Sequence, residues 1–166
     1  MKNVTTYSLL IIFVMLTFNA CNKENELVMD DTPYLLDYGS FPAPQIALDN
    51  PLTIQGVALG RKLFYEKALS KDGSQMCASC HKQENAFTDL DRFSEGVEGF
   101  LGGRQSTAIF NMAWHENEFF WDGRAHLLRD QALLPIQDSL ELNETLENVI
   151  AKLQNIPFYK DQFIRA

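Results

Sequence analysis

The stretch Cys77-Ala78-Ser79-Cys80-His81 restricts this chain more than any other. Two thiols three positions apart, followed at once by a histidine, form the attachment motif of a c-type haem. On one helical turn both sulfurs reach one edge of a porphyrin, and the imidazole swings under the iron as its axial ligand. A disulfide, a redox dithiol and half of a zinc site use similar spacings. Zinc needs a second ligand pair, and the chain's third cysteine stands alone. A thioredoxin-type dithiol opens a helix after a strand, and no strand pattern precedes Cys77. The motif therefore predicts one covalent haem c, with Cys77 and Cys80 as the links and His81 on the metal.

Met1–Ala20 reads as an export signal. Lys2 is its one charge, Leu9–Leu16 is a short apolar run, and small Ala20 precedes Cys21. The run is too short to cross a bilayer comfortably; an uncleaved anchor helix is the alternative. Cys21, left over once the haem pair is counted, resembles the lipidated first residue of a bacterial lipoprotein, although Phe18 stands where leucine is usual. The expected location is periplasmic, with membrane contact only through a lipid on Cys21. A net charge of −8 disfavours nucleic acid and suits a basic protein partner.

Asn22–Ser40 is polar and short of apolar periodicity, as a flexible tether is. Residues 41–166 form one domain's worth of chain. Thr53 is placed to cap a helix in which Gly56 and Gly60 share a face, open to a close neighbour or merely tolerated. Ser70–Gly73 is a turn that delivers the chain to the haem motif. Gly96, Gly99, Gly102 and Gly103 mark a loop. Arg104–Thr107 reads as a helix start, and Gly123–Leu134 as a helix ended by Pro135. In that helix Leu127, Gln131 and Leu134 make one stripe. Gln131 is then either a satisfied buried amide, which spacing favours, or a group aimed at a polar ligand. Asn143 is placed to cap a helix with Leu146, Val149, Ile150 and Leu153 as its apolar stripe, and Pro157 starts another. No alternating β pattern is present, so the predicted fold is all-α, with long loops.

Five blocks stand in one order: Asn50-Pro51-Leu52-Thr53, Ala58–Phe64, Cys77–His81, Ala86-Phe87-Thr88-Asp89, and Phe120-Trp121-Asp122-Gly123-Arg124-Ala125. Together they resemble the N-terminal haem domain of bacterial di-haem cytochrome c peroxidases and their methylamine-dehydrogenase-maturing relatives, from about residue 41 onward. The resemblance implies a cytochrome c-like fold and reduction of hydrogen peroxide to water. The electrons would come from a small donor protein such as a cytochrome c or a cupredoxin. It implies Glu141 as the proton-transferring carboxylate, Gln131 as the distal amide that orients peroxide, and Trp121 as the tryptophan between two haems.

The departures from the family pattern carry their own expectations. Val97 stands where other members have a distal histidine after Ser-x-Gly, so the sixth position on the iron is expected open, with peroxide bound beside Val97. Gln105 replaces the family's calcium-binding asparagine, which weighs against calcium there. His115 and His126 fall on no family ligand position. A second haem domain, with its own Cys-x-x-Cys-His, is not found in these residues. That leaves a second reading beside the peroxidase: a mono-haem electron-transfer cytochrome, or an inactive truncated peroxidase fragment. It also predicts an apolar docking patch, leading to a dimer or to a separate chain that carries the second haem.

Overall fold

A computed structural model describes residues 27–116 and 118–166. The expected signal, Cys21 and the start of the expected tether lie outside the described residues. The described part of that tether lies against the domain. Tyr34 N–H donates to Leu52 O (2.9 Å), Ile54 N–H to Thr32 O (2.9 Å) and Asp30 N–H to Arg165 O (2.9 Å). The predicted all-α class is what the chain adopts, with no strand among the described residues and only isolated antiparallel bridges.

Helix α1, Ile54–Phe64, begins where expected: Thr53 Oγ1 accepts from Gly56 N–H at 2.9 Å, filling one of the donors a helix start leaves free. Neither of its glycines receives another helix. A Cβ on Gly56 would meet only Thr53 Oγ1, at 2.9 Å, and one on Gly60 would meet nothing within 4 Å. The short turn α2 is the motif itself, Cys77–Cys80.

Three expectations change downstream of α2. Residues 104–111 are not helical; only Met112–Trp114 makes a 3-10 turn. This stretch gives its polar groups to the glycine-rich loop instead. Thr88 Oγ1 donates to Ser106 O, the Ser94 and Ser106 hydroxyls bond at 2.7 Å, and Ile109 N–H reaches Phe87 O at 3.3 Å. Gly123 does not open a helix either. It closes a tight turn at φ +69°, with Phe119 and Ala125 paired across it (Phe119 N–H to Ala125 O, 2.6 Å). Both paired residues are buried.

Helix α3 runs Leu128–Gln137 and carries Pro135 inside it. A proline there forfeits the bond to the carbonyl four residues back, that of Gln131. Bonds from beyond the helix tie down its end: Leu142 N–H to Pro135 O (3.1 Å) and Glu144 N–H to Ile136 O (2.8 Å). The expected stripe is not what α3 buries. Ile136 is its buried residue, while Leu134 is 40% exposed.

Helix α4, Leu146–Gln154, is capped by Thr145 rather than Asn143, which sits at φ +49°. Val149 and Leu153 of its predicted stripe are buried, and Leu146 packs beside them. Helix α5, Pro157–Arg165, starts on its proline as predicted. One buried cluster joins α1 to the C-terminal helices: Leu59, Leu69, Ile136, Leu142, Val149, Leu153 and Tyr159, with Cys77 packed against it. The haem motif is thus one wall of the core.

Each buried aliphatic in this cluster contributes about 1.5–3 kcal/mol. Leu153→Ala removes such a side chain and leaves a cavity. It is expected to cost ~2–5 kcal/mol, read as a lower urea midpoint at unchanged slope.

Candidate functional site

The Cys77–Cys80 turn is closed by local bonds. Met76 N–H donates to Ser79 Oγ (3.2 Å), and His81 N–H donates to Cys77 O (3.0 Å). Both thiols are partly buried, and Cys80 Sγ donates to Glu95 O at 3.7 Å. Burial, and then the charge of Glu141, push both thiols above their ordinary range.

His81 is fixed in one orientation. Its Nδ1 lies 3.1 Å from Phe87 O. A carbonyl only accepts, so Nδ1 carries the proton and Nε2 keeps its lone pair for a metal. Burial lowers the imidazole's affinity for a second proton, so it stays neutral. The Phe64 ring stands 6.5 Å from the imidazole, and Phe87 is 6.3 Å from Phe64. Arg61, Phe64, Tyr65, Gln83, Phe87 and Ile109 line a cleft of about 570 Å³. Two sulfurs on one turn, a neutral imidazole whose Nδ1 proton is held by Phe87 O and an aromatic cleft beside them fit a covalent haem c.

Glu141 is brought to this turn. Its charge acts on both Cys77 and Cys80, and its half-buried carboxyl makes no hydrogen bond among the described residues. Burial, with Asp138 adding to it, raises its proton affinity above that of an ordinary glutamate, while Arg124 pulls the other way. The glycine-rich loop holds Glu141 through the main chain. Val97 N–H donates to Glu141 O (2.8 Å). A Cβ on Gly96 would lie 2.0 Å from Leu140 O and 2.7 Å from Glu141 O. Only glycine allows that approach. Val97 is fully buried in this junction, so it does not line an open face.

Gln131 sits half-buried on the first part of α3, its side-chain amide without a hydrogen-bond partner among the described residues. No hydrogen bond joins it to Glu141. Trp121 is not drawn to the motif. It is 65% exposed and donates its indole N–H to Gln105 O at 2.9 Å. With Arg92, Phe93, Gly103, Arg104 and Gln105 it lines a separate groove of about 350 Å³. The Gln105 amide donates to Asp89 O at 2.7 Å. His126 bonds to the Glu118 carboxylate (2.9 Å) and His115 lies 3.3 Å from the Glu118 carbonyl, both away from the motif.

Residues 54–166 match the family described as di-haem cytochrome c peroxidase. The chain belongs to that family. The methylamine utilization protein MauG of Methylophilus methylotrophus is 36% identical over 127 residues, which are 76% of this chain and 37% of that protein. The cytochrome c551 peroxidase of Pseudomonas aeruginosa is 37% identical over 116 residues, 70% of this chain and 33% of that one. The crystal structure of a MauG-like protein associated with microbial copper homeostasis superposes with a TM-score of 0.71 at 31% identity, covering 78% of this chain and 39% of that chain. The chain thus spans about a third of the length of the curated relatives it matches.

Within this di-haem peroxidase framework, two site features went unread in the sequence. One is the Phe87 carbonyl that sets the His81 tautomer, which a backbone atom cannot signal. The other is Arg124. Its guanidinium lies 3.6 Å from the Phe120 ring centroid, pairs with Asp122 (3.0 Å) and still acts on Glu141. Only its place in the Phe-Trp-Asp-Gly-Arg block hinted at a role.

The Gly96 contact makes a sharp prediction. Gly96→Ala must push the loop off Leu140 and is expected to cost ~1–3 kcal/mol, as overpacking does. Gly103→Ala, whose Cβ meets nothing within 4 Å, serves as the control and should stay within about 0.5 kcal/mol. Thermal melting of the two variants beside the parent protein checks the pair.

Proposed function

We propose that the protein reduces hydrogen peroxide to water at one covalently held haem c, with electrons from a small donor protein. The observation that carries this reading is Glu141: a half-buried carboxyl with no hydrogen-bond partner among the described residues, raised in proton affinity and held beside the two haem-linking cysteines. The family's curated members are named as peroxidases or MauG proteins, and the donor residues here suit the same cofactor.

When bound, the haem supplies the iron at which peroxide is reduced. His81 would hold that metal through Nε2, since its Nδ1–H donates a hydrogen bond to Phe87 O. Glu141 takes the proton from the nearer oxygen of peroxide and returns it to the departing one, so that the second oxygen leaves as water. Gln131 offers an amide N–H to hold peroxide in line. The Gly96–Val97 junction fixes where Glu141 stands.

The export reading belongs with this function. Met1–Ala20 carries the chain out of the cytoplasm, where haem c is attached to thiols, and a lipid on Cys21 holds the mature protein at the membrane. Trp121, with its groove of arginines, is the place where a partner's electrons enter.

Two measurements test the proposal. In protein exported from a host that matures haem c, the pigment should stay in the polypeptide through acidified acetone, and Cys77→Ala with Cys80→Ala should release it. Release from the parent protein would end the haem c reading. Glu141→Gln should lower peroxide consumption by ~10²-fold or more. The pH dependence fixes the sign. Glu141 acts as a base only when ionised, so consumption should rise with pH through a value above the ordinary 4.5. Stability runs the other way. The folded state binds this proton more tightly than the unfolded chain, so the contribution present at low pH fades as pH climbs from 4.5 through the raised value. Glu141→Gln should remove both trends, in a rate profile and in denaturation midpoints across pH.

A further inference from the structure

Peroxide takes two electrons as its O–O bond breaks, and one haem iron is a ready source of one. Trp121, which the family resemblance implies as the tryptophan between two haems, is in surroundings that do not suit it as a store for the other oxidising equivalent. It is 65% exposed, and its indole N–H is spent on a backbone carbonyl, which is no base.

Tyr159 offers the opposite environment. It is 1% exposed, the largest of the fully buried side chains among the described residues. Its phenol O–H donates to a carboxylate oxygen of Glu66, whose other oxygen accepts from Ala68 N–H at 2.9 Å. Burial, then the bond to Glu66 and that group's charge, push the phenol far up, so it does not ionise by simple proton loss. Burial pushes Glu66 up, but the phenol, the Ala68 amide and Lys62 together bring it below its ordinary value. Loss of an electron from the phenol together with transfer of its proton to Glu66 leaves both partners neutral. That avoids the cost of a buried charge. The core cluster that contains Tyr159 is also the one against which Cys77 packs, so the phenol and the haem-linking sulfur share one packed body.

We propose that Tyr159 is a redox-active residue that stores one oxidising equivalent during peroxide reduction, with Glu66 as its proton acceptor. The inference rests on the peroxidase reading above. Per peroxide, one electron leaves Tyr159 as its proton passes to Glu66, and the bound haem would supply the second. The two protons needed for water come from solvent by way of Glu141. Two electrons from the donor protein then restore both sites, and the proton returns from Glu66 to the phenol oxygen.

The test uses the full haem-loaded chain with ring-deuterated tyrosine, mixed with hydrogen peroxide, freeze-quenched and read by electron paramagnetic resonance. An organic radical whose hyperfine pattern narrows on deuteration is expected, and Tyr159→Phe should lose it. Glu66→Gln keeps an acceptor for the phenol but cannot take its proton, and should lose the signal while the fold is kept, as read by thermal melting. This second variant decides the matter if Tyr159→Phe does not fold. A radical unaffected by deuteration, or one that survives in either variant, overturns the inference while the peroxidase reading stands. Peroxide left unconsumed by the parent protein overturns both.

Discussion

The site depends on a main-chain junction: Gly96 pressed against the carbonyls of Leu140 and Glu141, with Val97 N–H bonded to Glu141 O. Among the described residues no sheet aligns distant segments, so single hydrogen bonds take over. Gln75 Nε2 donates to Gly96 O (3.2 Å) just before the haem motif, and Lys71 N–H donates to Leu142 O (2.9 Å). Three segments far apart in sequence are thereby tied together around the Cys77–Cys80 turn. Two of these three bonds join backbone atoms alone, so most side chains along them are free to vary, that of Gln75 excepted. The glycine is not, since a Cβ there would occupy the space of a carbonyl oxygen.

What could be read from the chain follows from how local each signal is. The helical turn at Cys77–Cys80, the Thr53 cap, the start of α5 at Pro157 and the Val149–Leu153 face of α4 depend on neighbours within one or two turns, and they stand as expected. The failures share a different cause. Residues 104–111 carry a helix-start pattern, yet their hydroxyls and amides are taken by the 87–94 stretch. The helix expected from Gly123 is pre-empted by the Phe119–Ala125 pairing, and Pro135 is accepted within α3 because later residues bond to the helix end. Each reversal is a tertiary hydrogen bond outcompeting a local preference. The site divides along the same line. Cys77, Cys80 and His81 declare themselves by type and spacing, whereas Glu141 and Gln131 were found only through the family resemblance. No residue pattern near Glu141 announces that a glycine many residues earlier will hold it beside the thiols.

The carboxylates show how the fold separates structural charge from chemical charge. Asp89 is 4% exposed and Glu144 is 8% exposed, and each has a cation of its own: Lys82 at 3.3 Å for the first, Lys152 for the second. Asp89 feels burial pushing it up, but the Asp91 amide and Lys82 leave it below its ordinary value; Glu144 is lowered first by its bond to Lys152. Those two groups are locked as anions and hold loops in place. Glu66 is lowered against its burial first by a phenol, with the Ala68 amide and Lys62 adding to it, and no ion pair among the described residues holds it, which leaves it able to take a proton back. Glu141 is raised, because burial is not offset by any bonded donor and its one nearby cation, Arg124, is shared with Asp122. A carboxyl that is desolvated yet unpaired titrates closest to neutrality of the four, which is what proton transfer requires. The sequence pattern supplied the place for a haem. Among these four acids Glu141 is the one left desolvated and without a bonded partner near that place, as the proposed proton transfer requires.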